Sequence, residues 1–283
     1  MTLEKWLIHP GETRGIDIEP VRPLKVSMLG GQIDVIAHDE PGARIEIHSV
    51  TSKDLRIEVT GDALEIDHPQ LRWDNFLTAF RGLGSSGAKA DISLVVPRNI
   101  AITLGVVSAS ALIAGFTTDA KLNTVSGDIL VDGLTGDLDV NSVNGDVQVR
   151  GLHGAFNANS VSGDIAATGT LRRADADTVS GNVLFDSDGP ISQVNINTVN
   201  GNATLRLPEG YPSNSVVRSV SGKIVLDGVV HSGSGTTSYT GSSGELSGQF
   251  VDVRVNTVSG DLTVLRRPTE HTGSPATDGE MQS

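Results

Sequence analysis

Residues 123–149 read NTVSGDILVDGLTGDLDVNSVNGDVQV, and this stretch decides the fold because it rules the chain into equal lengths. The motif Val/Thr-Ser/Asn-Gly-Asp/Asn-apolar places its glycine at Gly127, Gly145, Gly163 and Gly181, at a constant step of 18. It continues at Gly201 and Gly222, with steps of 20 and 21, and recurs at Gly260. A period this short means one supersecondary unit stacked on copies of itself.

Within each repeat lies a weaker one, marked by Ser126-Gly127-Asp128, Thr135-Gly136-Asp137 and Asn144-Gly145-Asp146. Each half supplies one apolar residue before the turn and two after it: Val125 with Ile129 and Val131, then Leu134 with Leu138 and Val140. Residues two apart share one face of a strand. Two such halves would close a coil of about 18 residues around six small apolar side chains, with glycine letting the backbone turn. The expected fold is therefore all-β, a single-stranded, right-handed β-helix or β-solenoid, the hand being that of parallel crossovers.

Stacking turns equivalent positions into columns. One is apolar, Val125, Val143, Val161, Val179, Val199, Val220 and Val258, and the preceding one is hydroxylated, Thr124, Ser142, Ser160, Thr178, Thr198, Ser219 and Thr257. A third is amide-rich: Asn123, Asn141, Asn159, Asp177 and Asn197. Stacked amides bond along such a column, so its expected role is structural. Asp128, Asp146 and Asp164 form a fourth column, followed by Asn182 and Asn202. Carboxylates at strand spacing repel. Either solvent and turn amides offset them, or a hard cation such as Ca²⁺ bridges the rungs, which makes these aspartates the candidate metal ligands.

Outside the coils, residues 1–20 read as an irregular lead-in, and 21–68 as short alternating strands with turns at Asp39-Glu40-Pro41-Gly42 and Gly61-Asp62. The solenoid domain is expected over 21–267. Within it, Trp73, Phe76, Leu77 and Phe80 mark a helical or mobile insertion over 69–90. The Gly/Ser-rich segment 231–248 stands in for one repeat, and 268–283 reads as a disordered polar tail.

Composition narrows function. Aromatics are 4% and cysteine is absent, so neither a disulfide framework nor a thiolate metal site forms. A net charge of −13 argues against nucleic acid, whose phosphates require Lys and Arg. No apolar run of about 18 residues is present to insert in a membrane. No secretory signal opens MTLEKWLIHPGE, which gives a cytoplasmic expectation, with envelope association left to a partner. Arg150, Arg172, Arg173 and Arg206 are the basic candidates for a polysaccharide site but occupy no single column, and His153 is the only histidine of the regular coils.

The Thr-Val-Ser-Gly-Asp-Ile repeats, Val96-Pro97 and the opening Val26-Ser27-Met28-Leu29-Gly30-Gly31 together resemble the bacterial "putative adhesin" family, a β-helical domain family of unknown function. The resemblance covers roughly residues 21–265 and offers no agreed catalytic or ligand residues. The regular coils carry almost no aromatics beyond Phe156 and Phe185, which favours a non-enzymatic, adhesin-like scaffold or protein-binding module without cofactor, engaging a protein partner or self-associating through the solenoid ends. A carbohydrate-binding or polysaccharide-cleaving β-helix is the alternative.

Overall fold

The computed structural model describes residues 3–69, 87–232, 235–244 and 248–267. These residues form strands and turns, without helix. The N-terminal strands are β1 (Leu3–Ile8), β2 (Arg14–Ile18), β3 (Pro23–His38), β4 (Ala43–Thr51), β5 (Leu55–Thr60), β6 (Ala63–Asp67), β7 (Lys89–Pro97) and β8 (Ala101–Ala114). The repeat region contributes β9 (Ala120–Thr124), β10 (Ile129–Asp132), β11 (Leu138–Asn144), β12 (Val147–Ser162), β13 (Ile165–Ser180), β14 (Val183–Ser187), β15 (Gln193–Asn200) and β16 (Ala203–Pro208). The chain finishes with β17 (Ser213–Ser221), β18 (Ile224–Leu226), β19 (Val229–His231), β20 (Thr237–Ser243), β21 (Val251–Ser259) and β22 (Leu262–Arg267).

From β8 to β16 every pairing is parallel and follows the sequence repeat, save for a register shift in β12–β13 that sets Leu152 against Gly169 and is undone by Ala155. Ile129 pairs with Ala111 on one side and Val147 on the other. Val147 then pairs with Ile165, and Ile165 with Val183. This is a β-solenoid-like stack. Its glycines stand in a column for a reason beyond turning. A Cβ on Gly145 would lie 2.3 Å from the Gly127 carbonyl oxygen, and one on Gly163 equally 2.3 Å from that of Gly145. Stacked corners approach closer than any side chain permits.

The interior differs from expectation in one column. Leu138, Val140 and Ser142 point inward on β11, followed by Val147, Val149 and Leu152. A coil thus holds five apolar side chains and a hydroxyl, not six apolar ones. Val125 is buried, but Val143, Val161, Val179, Val199, Val220 and Val258 are 39–51% exposed. Strand alternation forces this: a face carrying Leu138 and Val140 continues to Ser142. At Thr124 and Ser142 the hydroxyl also serves the corner, whereas the buried hydroxyls of Ser160, Thr178, Thr198 and Thr257 have no partner among the described residues. Thr124 Oγ1 accepts from the Gly127 N–H at 3.0 Å and donates to the Gly127 carbonyl at 2.8 Å, and Ser142 Oγ donates to the Gly145 carbonyl at 3.0 Å. Valine satisfies neither group. Phe156 and Phe185 pack edge-to-face in the core, centroids 5.8 Å apart.

The order of coils is a second correction. The Gly260 coil does not follow the Gly222 coil; it lies between those of Gly201 and Gly222. β21 pairs in parallel with β15 on one side and β17 on the other, and β22 likewise with β16 and β18. The last strands of the described chain therefore complete the stack from inside it.

Both ends are closed by antiparallel strands. The lead-in expected to be irregular holds β1, paired with β5, and β2, paired with β4. At the other end β20 lies antiparallel on β17 and β19 on β18, so the Gly/Ser-rich segment forms a cover, not a coil. Ser and Gly suit such a cover, which need bury little. Of the insertion expected over 69–90, residues 70–86 lie outside the described residues, as does the tail 268–283. Lys89 and Ala90 belong to β7.

Candidate functional site

Two outward surfaces flank the glycine corner, and the sequence columns sort between them. After the corner, Asp128, Asp146 and Asp164 stack as expected. Asp128 Oδ1 accepts from the Asp146 N–H at 3.0 Å, Asp146 from the Asp164 N–H at 2.9 Å, and Asp164 from the Asn182 N–H at 2.8 Å. The same bond continues through Asn202, Asp261 and Lys223. Each side chain thus satisfies a turn N–H of the next coil, and a backbone donor offsets part of each carboxylate's charge. A parallel bond joins Asp137 to the Ala155 N–H; with Arg172 it holds the Asp137 carboxyl below its ordinary range, against a smaller opposing effect of partial burial. Among the described residues no three carboxylates or imidazoles are grouped to hold a metal ion. A groove of about 600 Å³ runs beside the column, lined by Asp34, Leu130, Asp146 and Gln148.

Before the corner lies a flat face made by the outward residues of β9, β11, β12, β13, β15, β21 and β17. Asn123, Asn141, Asn159, Asp177 and Asn197 form one column here, in register. Asn141 donates to Asn123 at 3.0 Å, Asn159 to Asn141 at 3.1 Å, and Asn197 to Asp177 at 2.8 Å. Asn256 extends the column by donating to Asn197 at 2.9 Å. A neighbouring column escaped the sequence reading: Asn157 donates to Asp139 at 3.1 Å and Asn195 to Asp175 at 2.6 Å. The step of 18 linking Asp139, Asn157 and Asp175 was its available signal.

Beside the amides run the exposed valines. Together, Asp177, Val179, Val199, Arg218, Val220 and Val258 line much of a groove of about 570 Å³, walled at one end by Thr236. A column of half-exposed valines against saturated amides is the main apolar feature of this face.

The basic candidates do not converge. Arg150 reaches Gln148, Arg172 reaches Asp137, Arg173 reaches Asp175, and Arg206 stands 3.7 Å from Asp186, which also accepts from Arg267. His153 is exposed and bridges to Thr135 through the backbone. No constellation of acid, base and nucleophile arises among them.

The family profile described as Toastrack DUF4097 matches residues 24–265, and the chain belongs to that family, a domain family of unknown function. Solved structures share its outline. One from Parabacteroides distasonis, described as a "putative lipid binding protein", is 12% identical with a TM-score of 0.53, covering 91% of this chain and 98% of the other. A "putative adhesin" from the same organism is 14% identical with a TM-score of 0.49, covering 91% and 98%. Another, from Bacteroides fragilis, is 13% identical with a TM-score of 0.47, covering 90% and 98%. At such identities the likeness concerns the fold alone. No curated protein matches the chain. Among the described residues no helix is long and apolar enough to cross a membrane.

Proposed function

We propose that this chain is a non-enzymatic, adhesin-like β-solenoid, wound right-handed with about 18 residues per regular coil, that serves as a scaffold or protein-binding module through its flat ladder face. The valine column carries the reading. Six valines, each 39–51% exposed, stand in one line. Isolated exposed apolar side chains are ordinary, but a contiguous apolar stripe rimmed by polar groups marks a contact surface. The amides beside it already bond one another, so covering them leaves few polar groups unsatisfied. Parallel stacking makes the surface stiff, which limits the ordering cost on binding. Engagement of an envelope component through this face would place the protein at the envelope.

The test pairs capture with stability. The double variant Val179→Asp, Val199→Asp is expected to melt like the wild type and to lose the cross-linked partners the wild type captures. An unchanged set of partners overturns the reading. Incubation with acidic and neutral polysaccharides should release no new reducing ends; their release would make the protein an enzyme.

A carbohydrate-binding role is the second reading, favoured by one place. Tyr211 and Phe250, with Arg172, Ser192 and Gln249, line a groove of about 280 Å³. Tyr211 is held there by donating to the Ile191 carbonyl at 3.2 Å. Phe250→Ala should abolish any glycan binding at this groove.

A further inference from the structure

Along β6 the alternation of buried and half-buried residues breaks, and Ile66, Asp67 and His68 are buried in succession. Asp67 is answered: Arg56 donates through Nε to Oδ1 at 2.7 Å and through Nη2 to Oδ2, so both carboxylate oxygens are engaged. His68 has no such answer. Its backbone N–H donates to the Ser27 carbonyl at 3.3 Å, but both ring nitrogens are buried without a hydrogen-bond partner among the described residues. A neutral imidazole can stay in such a site, whereas a charged one needs an acceptor or water.

The ring stands at the joint of a separable unit. Among the described residues β1 pairs only with β5, and β5 otherwise only with β6. β6 in turn meets the stack through β3 alone, along Leu24–Leu64, Lys25–Glu65, Val26–Ile66 and Ser27–Asp67. The Arg22 N–H closes this short ladder at one end by donating to the Asp62 carbonyl at 2.8 Å, and the His68 N–H closes it at the other. β3 is held independently by its pairing with β8.

The charges near the ring do not welcome a proton there. Burial disfavours the imidazolium most, Asp67 opposes that effect, and Lys53 in the turn before β5 adds to it. Asp67 is already taken by Arg56, which also stands 3.7 Å from Glu58 and is acted on by Glu65 from β6. β1 contributes Lys5, held by Glu58 at 3.7 Å. β8, and β3 from Val26 to Gln32, carry no titratable side chain. His9, after β1, is exposed and bonds Asp54 Oδ1 at 2.9 Å; that bond favours its charged form, so acid strengthens it and works against opening.

We propose that β1, β5 and β6 are an acid-released cap: a proton taken up by His68 parts β6 from β3 and frees the three strands as a unit, while the parallel coils stay stacked. In the closed cap the ring is kept neutral. Once β6 leaves, the ring titrates near its ordinary 6.5, so the open form gains the proton as pH falls below that value. Release bares β3 from Leu24 to Ser27, an unpaired strand edge of the kind that pairs with another chain. The device is independent of the ladder face and of what that face binds.

Native-state hydrogen exchange of the whole chain, read by peptide and corrected for the intrinsic rate, tests this between about pH 7.5 and about pH 5. Protection of β1, β5 and β6 should fall together below about pH 6.5, by up to about tenfold per pH unit, while that of β11 to β14 holds. His68→Phe should make cap protection independent of pH. His68→Gln, smaller and equally unable to titrate, should do the same and guards against a phenylalanine that does not fit. His9→Gln should leave the fall in place. Cap protection that ignores pH in the wild type overturns the proposal. So does a fall shared equally by the coils, which would mean that the chain opens as a whole. A fall that persists in both His68 variants also overturns it, by assigning the proton to another group.

Discussion

Between β9 and β16 each strand lies parallel to its own copy, whereas at β1, β2, β4 and β5, and again at β19 and β20, the neighbours run antiparallel. In the middle one residue type recurs because each side chain rests on its counterpart in the next coil: amide on amide, glycine on glycine, Asp on a turn N–H. At the ends nothing needs to repeat, and Thr237–Ser243 covers an edge with a sequence unlike any coil. Repetition propagates a stack, and a change of strand direction stops it.

The sharpest way to probe this difference is to open a cavity in the middle. Phe156→Ala removes a fully buried ring and its edge-to-face contact with Phe185, and should cost about 4 kcal/mol by denaturant titration. A loss confined to one end, with the coils intact by hydrogen exchange, would show that the middle does not unfold as a unit.

Glycines separate the regions next. Gly145→Ala meets the Gly127 carbonyl and should cost about 3 kcal/mol. Gly248→Ala, beside the C-terminal cover, has nothing within 4 Å of its new methyl and should change stability by no more than about 0.5 kcal/mol. Equal effects would remove the close approach of corners as the reason for the column.

Acid should act at the N-terminal cap. His68 is fully buried there, and neither ring nitrogen has a partner among the described residues. Burial pushes its pKa below the ordinary 6.5, with Asp67 opposing weakly and Lys53 assisting. The unfolded chain therefore takes up a proton first. His68's contribution to stability is intact above pH 6.5 and is lost as pH falls from there through the folded value. Urea midpoints between about pH 7.5 and pH 5 should fall, and His68→Phe should flatten that fall.

Smaller again is the Asp column. Asp146→Ala leaves the Asp164 N–H without its acceptor and should cost about 1 kcal/mol. Asp146→Asn should be nearly silent, because Asn182 performs the same duty for Asn202 at 3.1 Å. If Ca²⁺ raised the melting temperature of the wild type and not of Asp146→Asn, the column would be a metal site after all. The smallest effect belongs to the surface: Val179→Thr should shift stability by less than about 0.5 kcal/mol, since the valine face is covered by nothing in the monomer.

The sequence revealed what local periodicity controls. Gly127, Gly145 and Gly163 had to align, because an in-register parallel stack superposes equal positions. Asn123, Asn141 and Asn159 had to form a column for the same reason. The inversion of hydroxyl and valine was also legible, in the alternation Leu138, Val140, Ser142, but hydrophobicity suggested the opposite. Alternation decides it: Ser142 follows Val140 on the inward face and Val143 turns outward, and the same holds at Thr178 and Val179, where the hydroxyl has no partner among the described residues. Asp139 and Asp175 were overlooked because alternating Asp and Asn at one position looks like variation until stacked.

By itself, then, the sequence determined the rung: its length, its corner, its apolar strand faces and the outward amides, all set by contacts between a residue and its copy one turn away. Only the tertiary structure decided which rung neighbours which. The coil of Gly201 and the coil of Gly222 each offer an edge that any matching strand satisfies, and β21 with β22 fits both. Strand edges recognise register and direction, not position in the chain, so the order of the last coils follows from which edges remain unpaired, a property of the whole stack.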